Sequence, residues 1–538
     1  MKKLKKYLND DTRYIILIFL LVAIISTLPF LSISSMASGH NLTFQLSRIS
    51  ALKENLALFP LLKLMPNYLN NYGYAAGIFS PQLFLLIPAT LNVIGINLLN
   101  SYKIFMIIIN FFTLVTMYIA TKGITKNHKA SLLLSVIYLV IPYRMIDAYI
   151  KFALDEILSF VFLPLAILGL YYLIFNNEKK YYYLVLGLSG LILSHIISAY
   201  ITIIIFIIIL IFNYKKLTKN KLYYLAQSII ITFCLTAYFT VPLLEQILTT
   251  KYSLNITTND SNIVETTITL WNLVIAIPFT KFISFKYNSW LFGGIGITFI
   301  IILIICFIKN KRSITNKYFI KSIAITSIAC LLLVTLIFPW RLYIIPISIL
   351  LLIGIYTVYQ ITNKEKIKKQ SFYNLSWVTL FLFFIISISI FKVLNTTNID
   401  IKYHPIGVKD KDIIQRGETI VANNNITYDF YRENNQIIIN FDNNIYSSTT
   451  LELPLLYYKG YSAFIDEKAL KVSKSQDGYV LINLNKYEEG TIKVKYDYTI
   501  LTIISMGISI FTQLVFIGNL FKKNKYYSHL VNLNKVNQ

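Results

Sequence analysis

Cysteine and acidic side chains are what this 538-residue chain is short of: it has three cysteines, and 25 Asp and Glu against 50 Lys and Arg. Cys234, Cys306 and Cys330 all fall inside apolar runs, with no metal spacing and no evident disulfide framework, so they read as small hydrophobes. Charge of either sign is scarce, at 14% of residues, whereas 56% are hydrophobic. No soluble protein of this size needs so much apolar surface. Apolar runs of about 20 residues recur along the chain, which marks a multi-spanning α-helical membrane protein. The formal charge of +25 therefore does not signal nucleic-acid binding. The lysines cluster in short loops between apolar runs, as cytoplasmic loops do.

The N-terminal MKKLKKYLNDDTR is basic and an apolar run over 14–33 follows. A signal peptide competes with a signal anchor here; the length of the run favours an uncleaved anchor. With the N-terminus inside, the loop at 34–80 is external. In it Phe44, Leu46, Ile49, Leu52 and Leu56 fall near helical spacing, with Arg48, Lys53 and Glu54 off that face, as in a surface-lying amphipathic helix. The run at 81–99 either crosses or dips in and returns. The positive-inside rule, with Pro81 and Pro88, favours the dip. The run at 181–212 is too long for one helix and reads as two short crossings with Ser194 and His195 at the outer turn. Further spans are expected at 103–121, 131–141, 157–175, 222–244, 290–308, 318–338, 342–359, 375–391 and 500–521. The expectation is an all-α membrane protein of about twelve crossings, with both termini cytoplasmic and every Lys-rich loop on one side. Between 393 and 498 hydrophobicity alternates with period two, in QIIINFD, TLELPLLYY and GTIKVKYDY, which predicts a small all-β sandwich on the outer face. The chain thus divides into a polytopic part at 1–392, the β domain at 393–498, and a final span with a basic tail at 499–538.

This topology gathers the polar outliers on the outer face. His40 and Asn41 follow the first span. The stretch Ile141–Glu156 adds Arg144, Asp147, Lys151, Asp155 and Glu156 at the edge of what otherwise reads as hydrocarbon. His195 sits in an outer turn, Glu245 ends AYFTVPLLEQ, and Arg341 lies in FPWR. Singly, such residues are more often headgroup anchors or structural hydrogen-bonders. Together they suggest an outer-leaflet cavity for an anionic headgroup with at least one carboxylate.

The segments SGHNLTFQLSRI, NYGYAAGIFSP, PYRMIDAYIKFALDE, LSHIISA, AYFTVPLLEQ and FPWR, in that order, resemble the bacterial multi-spanning proteins labelled pyruvoyl-tetrahydropterin-synthase-related. These group with YfhO-like proteins among the GT-C glycosyltransferases. LPLLYYKGYSAFIDEKALKV and DGYVLINL are similar to that group's outer β domain. The resemblance implies transfer of a sugar from a polyprenyl-phosphate-linked donor to a cell-envelope polymer or lipid outside the membrane. Such chemistry needs a carboxylate to take the acceptor proton, and cations or a metal to stabilise the departing phosphate. It also needs a lipid-facing groove for the carrier. The family pattern carries Gly-His-Asp in the first loop, where this chain has Gly39-His40-Asn41. An amide is no base, so either Asp147, Asp155 or Glu156 replaces it or the transferase is inactive. His40 and His195 would position groups or bind a metal, a divalent cation being one candidate cofactor. Arg341, with Arg144 and Lys151, would bind phosphate.

Two other readings stand beside this one. A transporter or flippase of an envelope precursor shares the helix count, but 201–212 and 375–391 carry no charge and the halves show no repeated span pattern. A non-catalytic envelope-assembly scaffold would account for Asn41.

Overall fold

The computed structural model describes residues 10–31, 42–56, 64–65, 71–149, 152–176, 178–250, 252–253, 404–405, 419–423, 427–433, 436–442, 449–465, 467–484 and 489–536. His40, Asn41, Lys151, Arg341, Cys306 and Cys330 lie outside them, as do the spans expected between 290 and 391. The chain is mostly helical, with a small all-β region near the C-terminus, and it divides into two units. The first comprises 1–53, 82–229 and 257–399; the second comprises 54–81, 230–256 and 400–538.

The first unit holds α1 (Asp10–Leu31), most of α2 (Leu42–Asn55), α3 (Leu86–Val93), α4 (Leu98–Thr125), α5 (His128–Leu139), α6 (Pro142–Tyr149), α7 (Leu154–Phe175), α8 (Tyr182–Ile192), α9 (Ile196–Phe212) and the start of α10 (Lys219–Thr249). Asn97 starts α4 by accepting hydrogen bonds from the backbone N–H groups of Leu99 and Asn100. Lys126, left-handed at φ 55°, ends it.

α7 is the central element, with almost every side chain buried despite Pro164 in its interior. α8 packs antiparallel against it at glycines. A Cβ at Gly169 would collide with the Leu184 backbone, one at Gly187 with Ala166, and one at Gly190 with the Phe162 ring. Small residues are what allow helix backbones to approach this closely where lipid gives no hydrophobic drive. α1 runs antiparallel to α4, with Phe19 on Tyr118 at 5.7 Å and Phe30 on Tyr102 at 5.4 Å between ring centroids. α4 and α7 run parallel, since Gly123 near the end of one meets Leu168 and Tyr172 near the end of the other. Leu17, Leu21 and Leu28 on the outward side of α1 stay exposed, as lipid-facing positions do.

Four described helices are long and apolar enough to cross a membrane: α4, α7, α10, and residues 500–520 of α11 (Ile500–Val536). They mark the chain as membrane-associated. α5 and α8, at 12 and 11 residues, extend about 18 and 17 Å, less than the roughly 30 Å hydrocarbon core. The break expected near His195 is real: α8 stops at Ile192 and α9 starts at Ile196. The 81–99 run forms a 3₁₀ turn at Leu83–Leu85 and the short helix α3.

The second unit contains the remainder of α10, the β region and α11. Its strands are β1 (Tyr252–Ser253), β2 (His404–Pro405), β3 (Val421–Ala422), β4 (Thr427–Glu433), β5 (Gln436–Asp442), β6 (Thr449–Leu456), β7 (Tyr461–Ile465), β8 (Lys468–Leu470), β9 (Val472–Lys474), β10 (Tyr479–Leu484) and β11 (Glu489–Tyr496). β1 pairs with β2; β3-β6-β10-β9 and β4-β5-β11-β7-β8 form two antiparallel sheets. Register places Ile439, Ile492 and Ile465 in one inward row and Ile437, Val494 and Ala463 in the next. These pack against Leu451, Leu453, Val480 and Ile482 of the other sheet, so the region is a sandwich with a single apolar core.

Candidate functional site

The stretch flagged in the sequence forms the corner between α6 and α7, and the corner is charged and buried. Phe152 turns the chain in the left-handed region at φ 52°, a conformation that costs a non-glycine residue about 1 kcal/mol or more. It is held by burial against Phe30, 5.6 Å between rings, and by the Ala153 N–H donating to the Asp147 carbonyl at 2.9 Å. Asp155 and Glu156 then open α7, where the partial positive charge of a helix N-terminus favours carboxylates.

Arg144, on α6, is fully buried. Its Nη2 donates to Asn110 Oδ1 at 2.7 Å and to Thr113 Oγ1 at 3.4 Å, and its Nη1 donates to the Leu139 carbonyl at 3.2 Å. Asn110 in turn donates to Ser26 and Thr27 on α1, both at 3.0 Å, and to the Tyr149 hydroxyl at 3.2 Å. Tyr149 closes the circuit by donating to the Ser26 carbonyl at 2.7 Å. Burial pulls the Arg144 guanidinium below its ordinary value, and the fields of Tyr149, Tyr138 and Asp147 oppose that shift. Asp147 and Glu156 are buried as well.

Asp155 is the exception, with 17% of its side chain exposed. Its partner is Arg48 on α2, whose Nη1 reaches both carboxylate oxygens, at 2.9 and 2.8 Å. The same nitrogen donates to Gln45 Oε1 at 3.0 Å. Arg48 corrects the sequence reading. It does not lie on a solvated face of an amphipathic helix: it is fully buried, as are Leu46, Ile49 and Leu52. Lys53 and Glu54, further along the same helix, do stay exposed.

His195, at the α8–α9 break, contacts Ser198 Oγ through Nδ1 at 2.7 Å. Ser159 Oγ donates to Ser198 at 3.4 Å and to the Glu156 carbonyl at 2.6 Å. The helix break thus meets α7 one turn beyond its carboxylates. Glu245 belongs to the second unit, where Lys459 Nζ lies 3.1 Å from Oε1 and Thr499 donates to Oε2 at 2.6 Å. Gln246 beside it donates to the Lys459 carbonyl at 2.6 Å and accepts from the Lys459 N–H at 3.1 Å.

The sequence reading missed Arg48 and Asn110. A signal for the first was present: only seven of the 50 basic residues are arginine. In a chain that uses lysine by default, an arginine suits a buried, multiply bonded ion pair. Among the described residues no three His, Cys, Asp or Glu side chains are grouped to hold a metal ion. Compared with known protein families and with curated proteins, the chain matches none.

Proposed function

We propose that the chain is a GT-C-like membrane glycosyltransferase of about twelve crossings, moving a sugar from a polyprenyl-phosphate-linked donor to a cell-envelope polymer or lipid on the outer face. The observation that supports this is the α6–α7 corner, where buried arginines and carboxylates stand at the end of an apolar helix beside one partly exposed carboxylate. Ionisable groups in such a setting are costly to keep and mark a working site.

In this reading the acceptor hydroxyl oxygen attacks the anomeric carbon of the donor. The bond from that carbon to the phosphate oxygen breaks, its electron pair leaving with polyprenyl phosphate. The hydroxyl proton passes to a carboxylate, and Asp155 takes the part that Asn41 cannot. Arg48 holds Asp155 in place, while Asp147, Glu156 and Arg144 set the field behind it. His40, Lys151, His195 and Arg341 are assigned to the phosphate side. Glu245 is assigned to holding the β region's Lys459. Both termini and the lysine-rich loops are cytoplasmic, and the β region is extracytoplasmic.

The test compares envelope polymers and lipids by mass spectrometry in parent, deletion, and deletion strains carrying Asp155→Asn or Glu156→Gln. The expected result is a sugar substituent that vanishes on deletion and is not restored by Asp155→Asn at parental protein levels. Full restoration by both variants would remove the site assignment. One observation favours a second reading: both Nη groups of Arg144 and the amide nitrogen of Asn110 donate to protein groups, as in a scaffold. A scaffold would tolerate the carboxylate variants and fail on deletion of 395–497.

A further inference from the structure

The end of α7 remote from the carboxylates has its own chemistry. From Ile157 to Tyr224 the sequence has six lysines and one acidic residue, Glu178. The fold draws those lysines to one end of the first unit. Lys180 Nζ stands 4.6 Å over the Tyr172 ring, and Lys216 Nζ stands 4.4 Å over Phe175, both rings on α7. Lys221 Nζ donates to the Ile174 carbonyl at 2.7 Å, capping the same helix end. Tyr181 stacks on Tyr224 at 5.4 Å, joining the starts of α8 and α10. Lys215 and Lys219 stay exposed alongside. α4 arrives at the same end, with Lys122 5.5 Å over Tyr118.

Ammonium groups held over tyrosine and phenylalanine rings stay at the level of those rings, where headgroups would lie. Tyrosine is enriched at that depth of a bilayer, and clustered lysines attract anionic lipids. A 22-residue helix is about 33 Å long, so this end and the carboxylate corner stand about one hydrocarbon thickness apart.

We infer that this basic, tyrosine-rich end is a binding surface for the headgroups of anionic phospholipids. The inference does not depend on the transferase reading, since it uses neither the carboxylates nor a sugar donor. The probe is the full-length protein in neutral detergent, equilibrated with equal phosphatidylglycerol and phosphatidylcholine at low salt. Bound lipid is then counted by native mass spectrometry.

Phosphatidylglycerol should be retained preferentially. Lys180→Gln with Lys216→Gln should lower that preference about 30-fold, at roughly fivefold per lysine. Lys215→Gln with Lys219→Gln, which removes only exposed charge, should do the same, so the test survives if the first pair unfolds. Lys468→Gln with Lys471→Gln in the β region should change nothing. Equal retention of the two lipids would overturn the inference, as would retention unaltered by both helical pairs. An equal loss from the β-region pair, or displacement of the lipid by soluble polyphosphate at matched phosphate concentration, would overturn it too.

Discussion

Arg48 and Asp155 are 107 positions apart in sequence and share two hydrogen bonds in the fold. Removing one partner of a buried pair leaves the other charge uncompensated, which typically costs about 3 kcal/mol. Asp155 retains some exposure, so the larger loss is expected when Asp155 is the residue removed and Arg48 is stranded. Thermal melts of Arg48→Ala, Asp155→Asn and the double variant should show the double costing less than the sum by about 1 kcal/mol or more. Strict additivity would contradict the pairing. The charges of the α6–α7 corner were legible in the sequence because an apolar background makes each one conspicuous. Their partners were not. Asn110 and Ser26 are uncharged residues in apolar runs, and nothing local distinguishes a lipid-facing amide from one that takes a guanidinium.

At the level of elements, periodicity served well where one face is buried. The β strands read correctly because alternation survives in QIIINFD and GTIKVKYDY, and the inward rows of the five-stranded sheet follow from it. The helix break at 193–195 was legible from length alone. The approach of α7 and α8 was not, because Gly169, Gly187 and Gly190 differ in the sequence in no way from Gly507 or Gly518. In the structure they do differ: nothing lies within 4 Å of a Cβ built at Gly507 or Gly518. Gly187→Val should therefore force α7 and α8 apart and cost about 1–3 kcal/mol in a detergent melt. Gly507→Ala should be neutral or slightly stabilising, as alanine is the better helix former by about 1 kcal/mol. An equal effect of the two substitutions would contradict the close helix contact.

On the scale of the molecule, the first unit has chemically distinct ends. α1 runs from the lysine-bearing end toward the α6–α7 corner, α4 and α7 run back from the corner, and α9 ends beside Lys215. Composition announced a membrane protein without describing this polarity, because a net charge gives no position. The proposed chemistry requires the corner to face outward and the lysines to face inward. In a background with Cys234, Cys306 and Cys330 replaced, single cysteines at Asn100, exposed at the start of α4, and at Lys215 report each end separately. The decisive measurement is labelling of these two positions in intact cells by a membrane-impermeant maleimide. Asn100→Cys should label in intact cells and Lys215→Cys only after permeabilisation; the reverse pattern, or labelling of both from outside, would contradict an outward-facing carboxylate site.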